Sequence, residues 1–104
     1  MAEEFEITDF TTKEVRALLY LRLLKKNGYR NQFEKLSEEC RELSEATDIW
    51  LLNQSDEHRK DLVSEIVDVE NMIEQIKIMI GVTDSEFNKE RNFKLSRTIS
   101  RYNL

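Results

Sequence analysis

The sequence predicts an all-α protein of four main helices, on three observations. The 104 residues contain no proline and only two glycines, so little interrupts a helical chain. Charged residues make up 36% and hydrophobic ones 39%, a balance that favours a soluble helical domain over a sheet protein or a disordered chain. Apolar residues also recur three and four apart through most of the length, the period of helices that bury one stripe. The length is that of one domain, residues 1–104, with a single modest core. Residues 1–10 read as a loose acidic lead-in.

The first helix is announced by Thr11 and Glu14, spaced as a capping box, with Phe10 and Val15 placed as a hydrophobic staple. It should run to about Lys26 and stop at Asn27-Gly28, where glycine supplies a left-handed terminal residue. Its apolar set, Val15, Leu18, Leu19, Leu21, Leu23 and Leu24, is too wide for one face. Such a helix is usually covered on two sides, by its own core and by a neighbouring subunit, which predicts a homodimer or homotetramer. A membrane-surface helix is the alternative, permitted by Arg16, Arg22, Lys25 and Lys26.

Asn31 and Glu34 open the second helix, with the stripe Phe33, Leu36, Cys40, Leu43, Thr47 and Trp50. The polar run Asn53-Gln54-Ser55-Asp56 is the expected turn. The third helix starts near Ser55 or Asp56 and carries Leu62, Ile66, Val69, Ile73, Ile76 and Ile80. These spacings suit a close antiparallel pair, and a coiled-coil interaction hairpin would look the same. Cys40, the only cysteine, excludes an intramolecular disulfide and is expected as a buried structural thiol. His58, among Asp56, Glu57 and Asp61, reads as solvated. Gly81 ends the third helix; Thr83 and Glu86, with Val82 and Phe87 as staple, begin the fourth.

Two stretches share one acidic template. Glu39 and Glu42 lie on one shoulder of the second helix's stripe, and Glu65 and Asp68 on the same shoulder of the third. Antiparallel packing puts both shoulders on one side of the pair. Glu39 with Asp68, and Glu42 with Glu65, are each centred midway between Asn53 and Gln54, so a hairpin folded there brings four carboxylates to one height. They would repel unless a cation sat among them, since Arg41 is the only basic residue inside either motif. Oxygen ligands without His or Cys suit Mg²⁺ or Mn²⁺ rather than zinc. The alternative is a solvated acidic face, with Glu45 and Glu74 as ordinary surface acids beside it.

At these residues the chain resembles a known family. Glu38-Glu39-x-x-Glu42, 22 intervening residues, then Glu65-x-x-Asp68 is similar to the EExxE…ExxD signature of MazG-like nucleoside triphosphate pyrophosphohydrolases, of the all-α NTP pyrophosphatase superfamily. The likeness covers roughly residues 31 to 101, with a weaker match at Lys94, Arg97 and Arg101. The resemblance implies Mg²⁺-dependent hydrolysis of a nucleoside or deoxynucleoside triphosphate to the monophosphate and pyrophosphate. By motif position Glu39, Glu42, Glu65 and Asp68 would be the metal ligands, and Glu38 an outer ligand or water-orienting base. Glu70 and Asn71 interrupt the apolar run that often follows the second motif, which bears on substrate preference more than on chemistry.

Lys94, Arg97 and Arg101 fall at i, i+3 and i+7, on one helix face. Such a stripe offers guanidinium forks to the phosphates of a triphosphate; a solvated face is the other reading. The net charge of −5 is concentrated, with residues 31–80 carrying −8 and residues 81–104 carrying +2, which argues against nucleic-acid binding on the acidic middle. No signal peptide or membrane-spanning run is present, so the cytoplasm is the expected compartment. A di-iron bundle would need Glu-x-x-His pairs, which are absent. The other class of function left open is a non-catalytic helical hairpin whose acids serve solubility.

Overall fold

A computed structural model describes residues 6–104; the first half of the expected lead-in lies outside the described residues. Every regular element in it is a helix: α1 Lys13–Asn27, α2 Tyr29–Leu52, α3 Asp56–Met79 and α4 Asp84–Tyr102. None of them is long and apolar enough to cross a membrane. At 24 residues each, α2 and α3 are about 36 Å long, and their antiparallel hairpin is the body of the fold.

Residue chemistry explains most of the boundaries. Ser55 caps α3 by accepting from the His58 amide at 3.0 Å, and Thr83 caps α4 by accepting from Glu86 at 3.1 Å. Gly81, at φ 73°, closes α3 while Val82 N–H bonds the Lys77 carbonyl at 2.9 Å, the 6→1 bond of a Schellman turn. Two starts differ from expectation. Thr11 does not cap α1, because its amide and hydroxyl both donate to Asp9, at 3.0 and 2.8 Å; this local turn competes with the capping box. Asn31 does not open α2 but donates at 2.7 Å to the Asn27 carbonyl at the end of α1.

Gly28 alone separates α1 from α2, at φ 87° and ψ 159°, a conformation close to glycine-only. A Cβ there would meet nothing within 4 Å, so the cost of substitution is backbone strain alone. Gly28→Ala should therefore lose about 1–3 kcal/mol in denaturant melts, with helix content retained. An unchanged midpoint would show that the corner relaxes into an ordinary conformation.

The hairpin register is the expected one. Gln32 donates to Gln75 at 2.6 Å in the buried centre of the pair, and these two residues are centred on the same point as the acid pairs. The rotation of the helices is not. The contact seam uses Gln32, Leu36, Glu39, Leu43, Ala46 and Trp50 from α2, against Leu62, Glu65, Val69, Met72, Ile76 and Met79 from α3, all buried or half-buried. Half of each expected stripe is thus left outside. Cys40 is exposed, contrary to the expected buried thiol, as are Ile66, Ile73 and Ile80.

α1 packs across the hairpin at the end away from its turn. Its anchor is Glu74, which receives Arg16 Nε and Nη2 at 2.7 and 2.9 Å and the hydroxyl of buried Tyr20 at 2.8 Å. Glu74 is therefore not the surface acid the sequence suggested. Burial and the Glu74 carboxylate push the Tyr20 hydroxyl well above its usual pKa, so it stays a donor.

α4 touches the body only near its start, through Lys13–Asp84 at 2.7 Å and Lys77 over the Phe87 ring at 3.7 Å. From Asn88 onward all of its residues are exposed, including Leu95, Ile99 and Tyr102 on one stripe. An isolated helix of 19 residues is only marginally stable in water. The radius of gyration, 16.9 Å, exceeds the ~13 Å of a compact chain of this length.

Candidate metal centre

The hairpin brings together three of the four predicted carboxylates. One oxygen each of Glu39, Glu42 and Glu65 lies within 4.8 Å of the others, a group that can hold a metal ion. Register and rotation together produce it. Glu39 and Glu65 occupy the seam itself, and Glu42 lies one turn on from Glu39 and level with Glu65. Glu39 is only 6% exposed, rare for a glutamate without full pairing. Its Oε2 and that of Glu65 are buried with no hydrogen-bond partner in the protein. A buried acceptor left unpaired costs stability, and two of them in one cluster mark a place where the protein alone does not complete its own bonding. A hard divalent cation with oxygen preference fits that donor set.

Asp68, the fourth predicted ligand, is half-buried on the next turn of α3 and outside the three-acid group, although its charge acts on Glu65. Glu38 is half-buried at the rim, 3.5 Å from Lys35 Nζ. The cation that compensates the cluster is this Lys35, whose Nζ also reaches Glu39 Oε1 at 3.1 Å. Arg41, the only basic residue inside the motif, is exposed. Lys35 stands just before the motif at i−4 from Glu39, a spacing visible in the sequence. Lys94, Arg97 and Arg101 are exposed on the projecting α4, with Arg97 over Phe93 at 6.0 Å, and the protomer does not pack that helix on the acids. His58, expected to be solvated, is half-buried and sits 2.7 Å from the Asn53 carbonyl, closing the hairpin turn.

The electrostatics follow from crowding. The Glu42 carboxyl is pushed up by its hydrogen bond with Glu39, and further by that neighbour's charge. The Glu65 carboxyl is pushed up by burial first, then by the charges of Asp68 and Glu39. For such raised acids, stabilising protonation is fully present below the unfolded value of 4.5 and is lost as pH rises through the folded value. The metal-free cluster is thus a liability at neutral pH. Glu65→Gln should gain melting temperature relative to wild type as pH is raised from about 4 to about 7, in chelator. A constant difference across that range would show that Glu65 titrates as an ordinary surface acid.

An open groove runs past the cluster on either side. Toward the turn it is lined by Glu42, Glu45, Ile49, His58, Asp61 and Glu65, enclosing about 330 Å³. Toward α1 it is lined by Leu23, Asn27, Asn31, Gln32, Lys35 and Gln75, enclosing about 370 Å³. No protein-family model, curated protein or solved structure matches the chain.

Proposed function

We propose that the α2–α3 hairpin is a divalent-metal site that hydrolyses a nucleoside or deoxynucleoside triphosphate to the monophosphate and pyrophosphate, in the manner of the MazG-like enzymes its motif resembles. The observation that carries this reading is Glu39: a buried carboxylate with an unpartnered oxygen, in a three-acid cluster formed by the EExxE and ExxD positions. A bound Mg²⁺ or Mn²⁺ would neutralise the polyphosphate and acidify the attacking water.

The remaining work falls to the chain's own residues. Glu39, Glu42 and Glu65 would hold the ion, with Asp68 adding charge one turn away. Glu38, at the solvent rim, orients the attacking water and accepts its proton. Lys35 holds Glu38 and Glu39 in place and offsets part of their charge. Lys94, Arg97 and Arg101 supply donors to phosphate oxygens; standing on an arm that leaves its own protomer, they serve a site within a homodimer or homotetramer. The open groove beside the acids accommodates the nucleoside.

The test is a panel of standard and damaged NTPs and dNTPs incubated with the protein, with Mg²⁺ or with chelator, and resolved by product. Pyrophosphate plus monophosphate, dependent on Mg²⁺, is expected. Orthophosphate plus diphosphate would place attack at the wrong phosphorus. No product from any triphosphate would return the hairpin to the role of a non-catalytic interaction module.

A further inference from the structure

The groove beside the metal acids is electrically lopsided. Toward the hairpin turn, beyond Glu42 and Glu65, its walls carry two more carboxylates, Glu45 and Asp61, followed by Ile49 and His58. Toward α1 the walls carry no acid: Lys35 stands there among the amides of Asn27, Asn31, Gln32 and Gln75. The cluster lies between these two arms, where the Oε2 atoms of Glu39 and Glu65 are buried and unpartnered. Glu45 and Asp61 are exposed, and neither has a hydrogen-bond or ion-pair partner among the described residues.

We propose, resting on the triphosphate reading above, that this groove takes a ribonucleoside triphosphate in one direction only. The β- and γ-phosphates point toward Lys35, the ribose hydroxyls bond Glu45 and Asp61, and the base lies against Ile49 and His58. Charge sets the direction. A polyphosphate tail laid toward the turn would meet two carboxylates in a groove walled by protein, where like charges repel more strongly than in bulk water. On the α1 arm the same tail meets an ammonium and amide N–H donors.

Distance then assigns the sugar and the base. At 1.5 Å of rise per residue, Glu45 and Asp61 stand about 5 Å beyond Glu42 and Glu65, and Ile49 and His58 about 10 Å beyond them. The ribose follows the α-phosphate in a nucleotide and the base follows the ribose. With the α-phosphorus at the metal acids, the sugar reaches the nearer layer and the base the farther one. A carboxylate is an acceptor only, and the 2′- and 3′-hydroxyls are donors, so charge-assisted bonds form. Deoxyribose offers one donor fewer. The farther layer presents surfaces rather than an edge to read. Ile49 is 47% exposed, and the His58 ring is fixed by Nδ1 at 2.7 Å from the Asn53 carbonyl. Every base has a face that stacks on such a wall, so the sugar is selected more sharply than the base.

The experiment measures kcat/KM of the full chain at saturating Mg²⁺ on matched pairs: GTP and dGTP, ATP and dATP, CTP and dCTP, UTP and dUTP. Each ribonucleotide should be preferred over its deoxy partner by about tenfold, the worth of one hydrogen bond to a charged group, with the preference similar for every base. Glu45→Ala with Asp61→Ala should erase it. Glu45→Gln with Asp61→Asn keeps acceptor oxygens and should retain part of it, and Asp48→Asn, outside the groove, should retain all of it. The ratio is the readout because the charge of Asp61 also acts on Glu65, so absolute rates shift with metal affinity. If the double alanine variant fails to fold, the wild-type ratio and the amide variant decide. Pyrophosphate release without a ribose preference, or a preference that survives loss of both acids, would overturn the sugar assignment and leave the triphosphate reading standing. No pyrophosphate from any of these substrates would remove both.

Discussion

Glu39→Gln should leave a protein at least as stable as the wild type without metal, yet blind to Mg²⁺ and inactive. The amide keeps the shape of the side chain while removing one charge from a cluster whose members lie within 4.8 Å. The repulsion that pushes Glu42 and Glu65 upward falls with it. An ion that binds only the folded state stabilises it by mass action, so wild-type melting temperature should rise with Mg²⁺ while that of Glu39→Gln stays flat. Groups that merely support a metal ligand are worth about 10–100-fold in activity or affinity, so loss of a ligand should exceed about a hundredfold in kcat/KM. Asp48→Asn, exposed on α2 and outside the groove, is the control that should change neither. Equal Mg²⁺ responses in all three proteins would mean diffuse screening of an acidic surface, and the site would have to be given up.

The largest effect on stability is expected at Glu74. Removing it takes both bonds of the Arg16 fork, at 2.7 and 2.9 Å, and the 2.8 Å acceptor of the Tyr20 hydroxyl, leaving the 3.3 Å bond from Tyr20 to Asn71 as a weaker link between α1 and α3. Losing three charge-assisted bonds at a partly buried site costs about 3 kcal/mol, or roughly 12 °C or more in Tm for a domain of this size. Arg16→Lys should not substitute, since an ammonium cannot match the fork. The Arg16 guanidinium holds the Glu74 carboxyl below its usual range. This contribution is present above the unfolded value of 4.5 and is lost as pH falls through the folded one. It has the opposite sign to that of Glu42 and Glu65, so acid titration of the wild type mixes the two, and only comparison with Glu74→Ala and Glu65→Gln separates them. A Glu74→Ala protein melting within 2 °C of wild type would show that α1 is held by its leucines alone.

The two halves of the site differ in how far they could be read from the residues. The acids at i and i+3, repeated on both sides of one turn, already implied a shared height, and the Gln32–Gln75 bond has that register. Local chemistry also predicted the breaks at Gly28 and Gly81, the start of α3 near Ser55 and the cap at Thr83, because each involves groups only a few residues apart. Thr11 and Asn31 misled for the same local reason: a nearer partner, Asp9 or the Asn27 carbonyl, took the bond first.

Long-range facts had no such signature. Arg16 and Glu74 are 58 positions apart, and nothing near either one names the other. Helix rotation was the more consequential case. The apolar stripes of α2 and α3 are two rows wide, and periodicity gives a stripe's width without saying which edge meets the neighbour. Tertiary packing turned the acid-bearing edge inward, drawing Glu39 and Glu65 into the seam and leaving Cys40 and the isoleucine row outside. What the sequence alone determined is a four-helix chain with paired acids in register. Only the folded structure decided that three of those acids converge, that one is buried with an oxygen unpartnered, and that the opposite side is left uncovered, because rotation answers to the burial of all the helices at once.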